Sequence, residues 1–298
     1  MSATQRGSCS RVCLDFVSSQ RHGIAVKRIS LEDNFNDILG KAQRGLKLSD
    51  EQLAREAGVS TQELARAKAG EFEETVVRKL APVLKLAVEP LVASGKQSWY
   101  PQEPGEIPGL ACFNTTFEDV TVNSYLVWDP KSGNALFFDT GADSSEMLQV
   151  VSERNLRAQM ILLTHTHPDH VADLARLKTT TQATAFVSKN EPVSGAEPFE
   201  AGHKFVVGTL QIETRQTSGH SRGGITYIVH GLERPLAVVG DSIFAGSMGG
   251  GLVSYADALK NNREKILTLP EDTVLCPGHG PLTTVGEERR HNPFFPEF

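Results

Sequence analysis

The 298-residue chain has no run approaching the ~20 apolar residues of a membrane-spanning helix. It is poor in cysteine. Cys9, Cys13, Cys112 and Cys276 are too few and too scattered for a disulfide framework, so a reducing cytoplasmic compartment is expected. It lacks an excess of basic charge: 30 Lys and Arg stand against 36 Asp and Glu, a net charge of −6, which argues against a generic nucleic-acid coat protein. An ordinary composition, 39% hydrophobic and 22% charged, excludes collagen-like, low-complexity and wholly disordered classes. What remains is a globular chain long enough for one large domain or two small ones.

Charge divides the chain into three zones. Residues 1–31 carry five basic residues against Asp15 and contain six serines; a disordered tail is expected there, with a mitochondrial transit peptide, which such a Ser- and Arg-rich, acid-poor start resembles, as the alternative. Asp15 interrupts the only apolar run, so a secretory signal is not expected. Cys9 and Cys13 have no His or Cys neighbours with which to hold a metal. Residues 32–96 carry ten basic residues against eleven acids, and residues 97–298 fifteen against twenty-four.

Residues 32–95 read as a small helical domain. Ser49 with Gln52, and Ser60 with Glu63, fit the reciprocal capping box that starts a helix. Between them Leu53 and Ala57 share a face, and Gly58 permits a sharp turn. This is the arithmetic of a helix-turn-helix. Residues 35–87 resemble the Cro/XRE-type DNA-binding fold, with Glu63–Gly70 as its recognition helix. Val76, Leu80, Val83 and Leu84 would lie on a closing helix. That resemblance makes Thr61, Gln62, Arg66 and Lys68 the candidates for contacting DNA or a partner. Glu63, Glu71, Glu73 and Glu74 crowd the same face, so docking to a protein is the competing role.

Residues 96–109 are rich in Pro and Gly and read as a linker. After Leu110, strand-like runs are expected at 120–128, 135–138, 158–163, 183–187, 210–214, 225–229, 236–239 and 273–275. Helices are expected at 145–154 and 255–267. Paired strands followed by alternating strands and helices suggest two sheets covered by outer helices.

The chemistry concentrates in Thr164-His165-Thr166-His167-Pro168-Asp169-His170, which follows a strand and opens a helix. His165 and His167, two apart in extended chain, point to one side. Pro168 suits a first helical turn, which would turn Asp169 and His170 inward. With nine His and thirteen Asp in the chain, this pattern has about one chance in three thousand of arising at random. Three nitrogen donors and one oxygen donor suit Zn, Fe or Mn rather than Ca. His220, Asp241 and His279 each follow or adjoin a strand beside glycine. Seven ligand-type residues are enough for two metals.

These seven residues match the metal-binding pattern of the metallo-β-lactamase-fold hydrolases, which the chain from Leu110 onward resembles. Phe138-Asp139-Thr140-Gly141 is similar to that family's turn near the metals. The resemblance implies an α+β fold class: an αββα sandwich over residues 110–298, preceded by the small all-α domain. Gly240–Gly246, Pro277–Pro281 and Thr283–Glu288 are similar to the short glyoxalase II-like, or hydroxyacylglutathione hydrolase-like, branch. By that resemblance His165, His167 and His220 hold one metal, and Asp169, His170 and His279 a second. Asp241 bridges them, and Asp169 and Asp241 are the catalytic carboxylates. Two divalent transition metals are implied, Zn first, with Fe or Mn as alternatives.

The implied reaction is hydrolysis of a thioester or ester by a metal-bound hydroxide. Metal binding lowers the pKa of water from 15.7 to ~7, and the metal polarises the carbonyl. No unclaimed His or Tyr stands out as a general acid, which favours thioesters, whose thiolate leaves with little protonation. Gly250 and Pro281 stand where the branch carries lysine and tyrosine, and 19 residues after His279 are too few for its glutathione-gripping helical domain. Glutathione thioesters are therefore not expected to be preferred; if one binds tightly, Arg222 is a candidate anchor. The alternatives are a mononuclear iron persulfide dioxygenase, an N-acyl-homoserine lactonase and a metabolite-sensing DNA-binding regulator. The expected partners are a small-molecule substrate and a second copy of the chain, with no membrane.

Overall fold

The first helices form where the sequence supplies both a cap and an apolar stripe. The computed structural model describes residues 28–298; the expected disordered tail, with Cys9 and Cys13, lies almost wholly outside the described residues. Helix α1 (Phe35–Leu46) starts at Asn34, whose backbone N–H donates to Asp37, and buries Phe35, Ile38, Leu39 and Ala42. Helices α2 (Asp50–Ala57) and α3 (Thr61–Lys68) begin with the two capping boxes, Ser49 with Gln52 and Ser60 with Glu63. Gly58 between them is left-handed, with φ 63°. Helices α4 (Glu74–Val83) and α5 (Val88–Gly95) complete the unit, and residues 98–107 contain neither helix nor strand.

Two six-stranded sheets follow. The first runs in chain order: β1 (Leu110–Phe117), β2 (Val120–Trp128), β3 (Asn134–Phe138), β4 (Arg157–Leu162), β5 (Thr184–Ser188) and β6 (Glu197–Phe199). Its β1–β2 and β2–β3 pairs are antiparallel, and the pairs from β3 to β6 are parallel. The second sheet contains β7 (Lys204–Val207), β8 (Leu210–Gln216), β9 (Ile225–His230), β10 (Leu236–Gly240), β11 (Val274–Pro277) and β12 (Thr283–Thr284). Only β10 and β11 pair in parallel there.

The two-residue period of a strand sorts side chains into layers. Tyr125, Val127, Leu136 and Phe138 face the second sheet and meet Ile212, Tyr227, Val229 and Val238 in the central core. The alternate residues Leu126, Ala135 and Phe137 face outward, in a cluster with Met147 of α6 (Ser145–Glu153) and Leu174 and Leu177 of α8 (Leu174–Thr181). The short α7 (Pro168–Val171) lies between α6 and α8 in the chain. On the far side, Ile228, Ala237 and Val239 face Ala258 of α9 (Tyr255–Asn261), Val285 of α10 (Val285–His291) and the apolar stripes of α1–α5. This is the expected α+β class with two sheets between helical layers, and the N-terminal helices share the outer core of the second sheet. The expected helix 255–267 is interrupted: after α9 the chain makes a π-helical turn, Asn262–Ile266. The turn serves packing, since Asn261 and Asn262 donate to the carbonyls of Ser218 and Ser242, at 2.7 and 2.6 Å.

Candidate metal centre

β4 delivers the chain to the centre, and Asp139 fixes how it leaves. Asp139 follows β3 in left-handed conformation, φ 56°, and accepts from the Thr164 N–H at 2.7 Å and from the Thr164 hydroxyl at 2.7 Å. His165 and His167 then lie between β4 and α7, their ring centroids 4.5 Å apart. His167 is the N-cap of α7, Pro168 is its first residue, and His170 points back inward, fully buried.

Two ligand-type groups result. His165, His167, His220 and Asp241 form one, and Asp169, His170 and His279 the other; within each, one side-chain atom per residue lies within 4.8 Å of all the rest. His167 Nδ1 is 3.1 Å from His165 Nε2 and 3.0 Å from His220 Nε2. Asp241 stands between the groups. Its Oδ2 is 3.3 Å from His220 Nε2 and 3.4 Å from His279 Nε2, and its Oδ1 is 3.3 Å from His170 Nε2. Asp169 Oδ2 is 3.3 Å from His279 Nε2 and 3.6 Å from His170 Nε2.

These residues fit divalent ions. Ligands held tetrahedrally at ~2.0–2.1 Å from one ion are about 3.3 Å apart. His170 Nε2 and Asp241 Oδ1 are buried polar atoms without hydrogen-bond partners, a costly arrangement unless something between them is coordinated. The opposite ring nitrogens are anchored: His165 Nδ1 to Thr164 Oγ1 at 3.0 Å, His170 Nδ1 to Asp139 at 2.7 Å, His220 Nδ1 to Gly250 O at 3.1 Å and His279 Nδ1 to Thr121 O at 2.6 Å. Such outer contacts set the tautomer and aim the free nitrogen inward.

Charge is concentrated here. Burial opposes ionisation of Asp241, but the imidazoles of His279 and His170 outweigh it and hold the carboxyl well below the usual range. Burial likewise disfavours charged His170 and His279, yet Asp241 and its neighbouring carboxylates push them up to about 10 and about 11. Burial pushes His165 well down. The buried carboxylate thus draws cations to both sides of itself. Gly278 is required by the close approach: a Cβ there would lie 2.1 Å from Asp241 Oδ1.

Supporting residues escaped the sequence reading. Glu191 accepts from the Thr166 N–H and hydroxyl, both at 2.9 Å, and from the Gly223 N–H at 2.6 Å, stapling the His165–His167 segment to the His220 loop. Asn123 donates to the carbonyls of Pro277 and Gly280, at 3.0 and 2.7 Å, on either side of His279. Neither announces itself in sequence, because the partners lie far along the chain.

The centre opens into a cleft of ≈ 420 Å³. Its lining includes Glu32, Arg44, Phe117, Glu118, Val120, Phe244 and Leu252 and, among the described residues, no tyrosine and no histidine beyond His167, His220 and His279. Arg222 is exposed and outside this lining. Thr61, Gln62, Arg66 and Lys68 are exposed on α3, away from the centre's lining. Lys68 pairs with Asp50 at 2.6 Å, and Arg66 lies 3.9 Å from both Glu71 and Glu73, so both cations of this face are already opposed by acids.

Comparison with known proteins bears on residues C-terminal to the helices. Residues 118–279 match the family described as the metallo-beta-lactamase superfamily. The chain is 32% identical over 206 residues to the probable metallo-hydrolase YqgX of Bacillus subtilis, covering 60% of this chain and 94% of that one. It is 28% identical over 197 residues to the hydroxyacylglutathione hydrolase GloC of Haemophilus influenzae, covering 58% and 92%. The crystal structure of BLEG-1 B3 metallo-beta-lactamase is similar with a TM-score of 0.56 at 26% identity, covering 62% of this chain and 99% of that one.

Proposed function

The chain belongs to the metallo-beta-lactamase superfamily, and from that footing we propose that it is a two-metal hydrolase of thioester or ester bonds. The observation that carries this reading is the position of Asp241, whose Oδ2 lies 3.3 Å from His220 of one ligand group and 3.4 Å from His279 of the other, while Oδ1 lies 3.3 Å from His170. His165, His167 and His220 would hold one ion, Asp169, His170 and His279 the other, with Asp241 shared. When bound, such ions lower the pKa of water from 15.7 to ~7 and polarise a carbonyl oxygen. Zinc suits the donor set, as do iron and manganese.

The chain's own residues supply position. Asp241, buried, fixes the separation of the two groups. Asp169, less buried and lining the cleft, is held ionised against the cost of burial by His279 and His170, and would orient the attacking water by accepting its hydrogen bond. The Thr164, Asp139 and Thr121 contacts keep the imidazoles from rotating. Among the described residues the cleft has no tyrosine or spare histidine to protonate a leaving group. Lys41 is tied to Asp33 and the Met248 carbonyl, which leaves the Glu32 carboxyl, raised by burial, as the one other donor. A thiolate, needing little protonation, leaves more readily than an amine. Thioesters are therefore the substrate class the cleft favours.

The deciding experiment is elemental analysis together with a panel of thioesters, lactones and a β-lactam on purified protein. Two metal equivalents and thioester turnover are expected. S-lactoylglutathione is expected to turn over with a high KM, since Gly250 presents no side chain to the cleft. One metal at saturation with oxygen uptake would replace this reading with an iron dioxygenase. The α2–α3 geometry keeps a DNA-binding regulator as a second reading; a gel shift at physiological salt would have to overcome the acids paired with Arg66 and Lys68.

A further inference from the structure

One wall of the cleft comes from outside the matched superfamily region. Glu32, Lys41 and Arg44, all N-terminal to residue 118, line it together with His167, Asp169 and Asp241. Lys41 and Arg44 are three residues apart on α1 and so share a face. The helix is held firmly. A Cβ at Gly45 would lie 2.2 Å from Tyr255 Cγ, so α1 rests directly on the Tyr255 ring.

The two cations differ in what they can do. Lys41 donates to the Met248 carbonyl at 2.9 Å and pairs with Asp33; it fastens α1 to the loop after β10. Arg44 is exposed and, among the described residues, has no carboxylate within salt-bridge distance. A basic residue in the last turn of a helix is favoured by the helix dipole. That effect explains a cation somewhere on the turn, not one turned to the cleft. The same lining also carries exposed apolar side chains: Val120 is 45% exposed and Leu252 72% exposed. The cleft thus offers one cation free of carboxylate partners and a stretch of uncovered hydrocarbon, beside the carboxyl groups of Glu32 and Glu118.

We propose that α1 is the substrate-reading wall of this cleft, and that Arg44 is a specificity-determining residue that binds a carboxylate of the substrate. The assignment rests on the hydrolase reading above. It makes the substrate an amphiphilic thioester or ester, with hydrocarbon against Val120 and Leu252 and an anionic group on α1. Arg suits this because its guanidinium binds a carboxylate through two parallel N–H donors, which Lys cannot.

The test uses the full metal-loaded chain and three propionyl-sized thioesters. One carries a carboxylate on the thiol side (3-mercaptopropionate), one on the acyl side (succinyl) and one has none (2-mercaptoethanol). In Arg44→Ala, the kcat/KM of one anionic arm relative to the neutral arm should fall about fivefold, through KM, the size of one well-aligned ion pair at an exposed site. Arg44→Lys should recover part of it. The arm that responds identifies which end of the substrate lies on α1. An unchanged ratio for both anionic arms would overturn the proposal. If the wild type cleaves none of the three, the thioester reading fails on its own. Calorimetric titration with adipate against propionate then decides: a dicarboxylate advantage lost in Arg44→Ala supports the anchor, and an equal affinity ratio in both proteins overturns it.

Discussion

Glu191 and Thr166 are joined twice, through the Thr166 N–H and its hydroxyl, both 2.9 Å from the same carboxylate oxygen. The other oxygen of Glu191 takes the Gly223 N–H. Burial raises the cost of ionising Glu191, but these donors outweigh it and hold its carboxyl below the usual range. One carboxylate therefore sets the distance between two strand-end loops that carry three of the candidate ligands. Glu191→Ala should leave the sandwich folded and weaken metal binding by about 10–100-fold, as loss of an outer support does. Competition against a graded chelator measures it; wild-type affinity would mean that the loops hold themselves.

Asp241 is the stricter case. It faces both ligand groups, so Asp241→Ala removes a donor from each at once. Metal content should fall below two equivalents, and thioester hydrolysis should drop by more than the ~10–100-fold of an outer contact. Circular dichroism should still report folded helices, since α1–α5 do not depend on the centre. Near-wild-type turnover would remove Asp241 from its assigned role.

Much of this was legible in the sequence for a physical reason. Asp241 and His279 closely follow β10 and β11 beside glycine, His165 and His167 lie between β4 and α7, Asp169 and His170 open α7, and His220 lies beside Gly219 in the loop before β9, so local pattern alone marks them. The capping boxes of α2 and α3 are likewise local. Strand β6 was missed because Pro198 interrupts a run of three residues, a composition tolerated there on a sheet edge. The π-helical turn was missed because it answers to Ser242 rather than to its own periodicity. Glu191, Asn123 and Arg44 could not be singled out, since what they face comes from distant parts of the chain. Arg222, the cation the sequence offered as an anchor, is outside the lining where Arg44 lies within it.

Glu288 gives the fold a pH dependence away from the centre. It is fully buried, accepts from Thr283 Oγ1 and Asn292 Nδ2 at 2.7 Å and from the Gly246 N–H at 3.0 Å, and burial pushes its carboxyl up to about 8. The unfolded carboxyl titrates near 4.5. Between those values the folded chain holds a proton that the unfolded chain releases. This stabilisation is fully present below about pH 4.5 and is lost as pH rises through 8. In Glu288→Gln the amide replaces the neutral acid and cannot ionise. The melting temperature of the variant relative to wild type should therefore rise by several degrees from pH 5 to pH 8.5. A constant difference across that range would show that Glu288 is ionised throughout.

Cutting the chain at Gly95 tests how α1–α5 are joined to the sandwich. Their buried side chains belong to the same apolar cluster as Ile243, Met248, Phe294 and Phe295. Polar contacts cross the same surface: Ala87 N donates to Pro293 O at 2.7 Å, and Lys41 to Met248 O at 2.9 Å. Fully burying one such side chain contributes about 1.5–3 kcal/mol. Uncovering four of them would cost on the order of 6–12 kcal/mol, comparable with the whole stability of a typical domain, ~5–15 kcal/mol. A fragment of residues 96–298 should therefore be insoluble, or bind a hydrophobic dye and melt far below the full chain. It would also lose Arg44 and Glu32 from the cleft. The two effects separate if residues 28–95 are supplied as a second polypeptide. Recovery of solubility and of the anionic-substrate preference together would show that the helices both cover the core and shape the cleft. A soluble, fully active 96–298 fragment would show that they do neither.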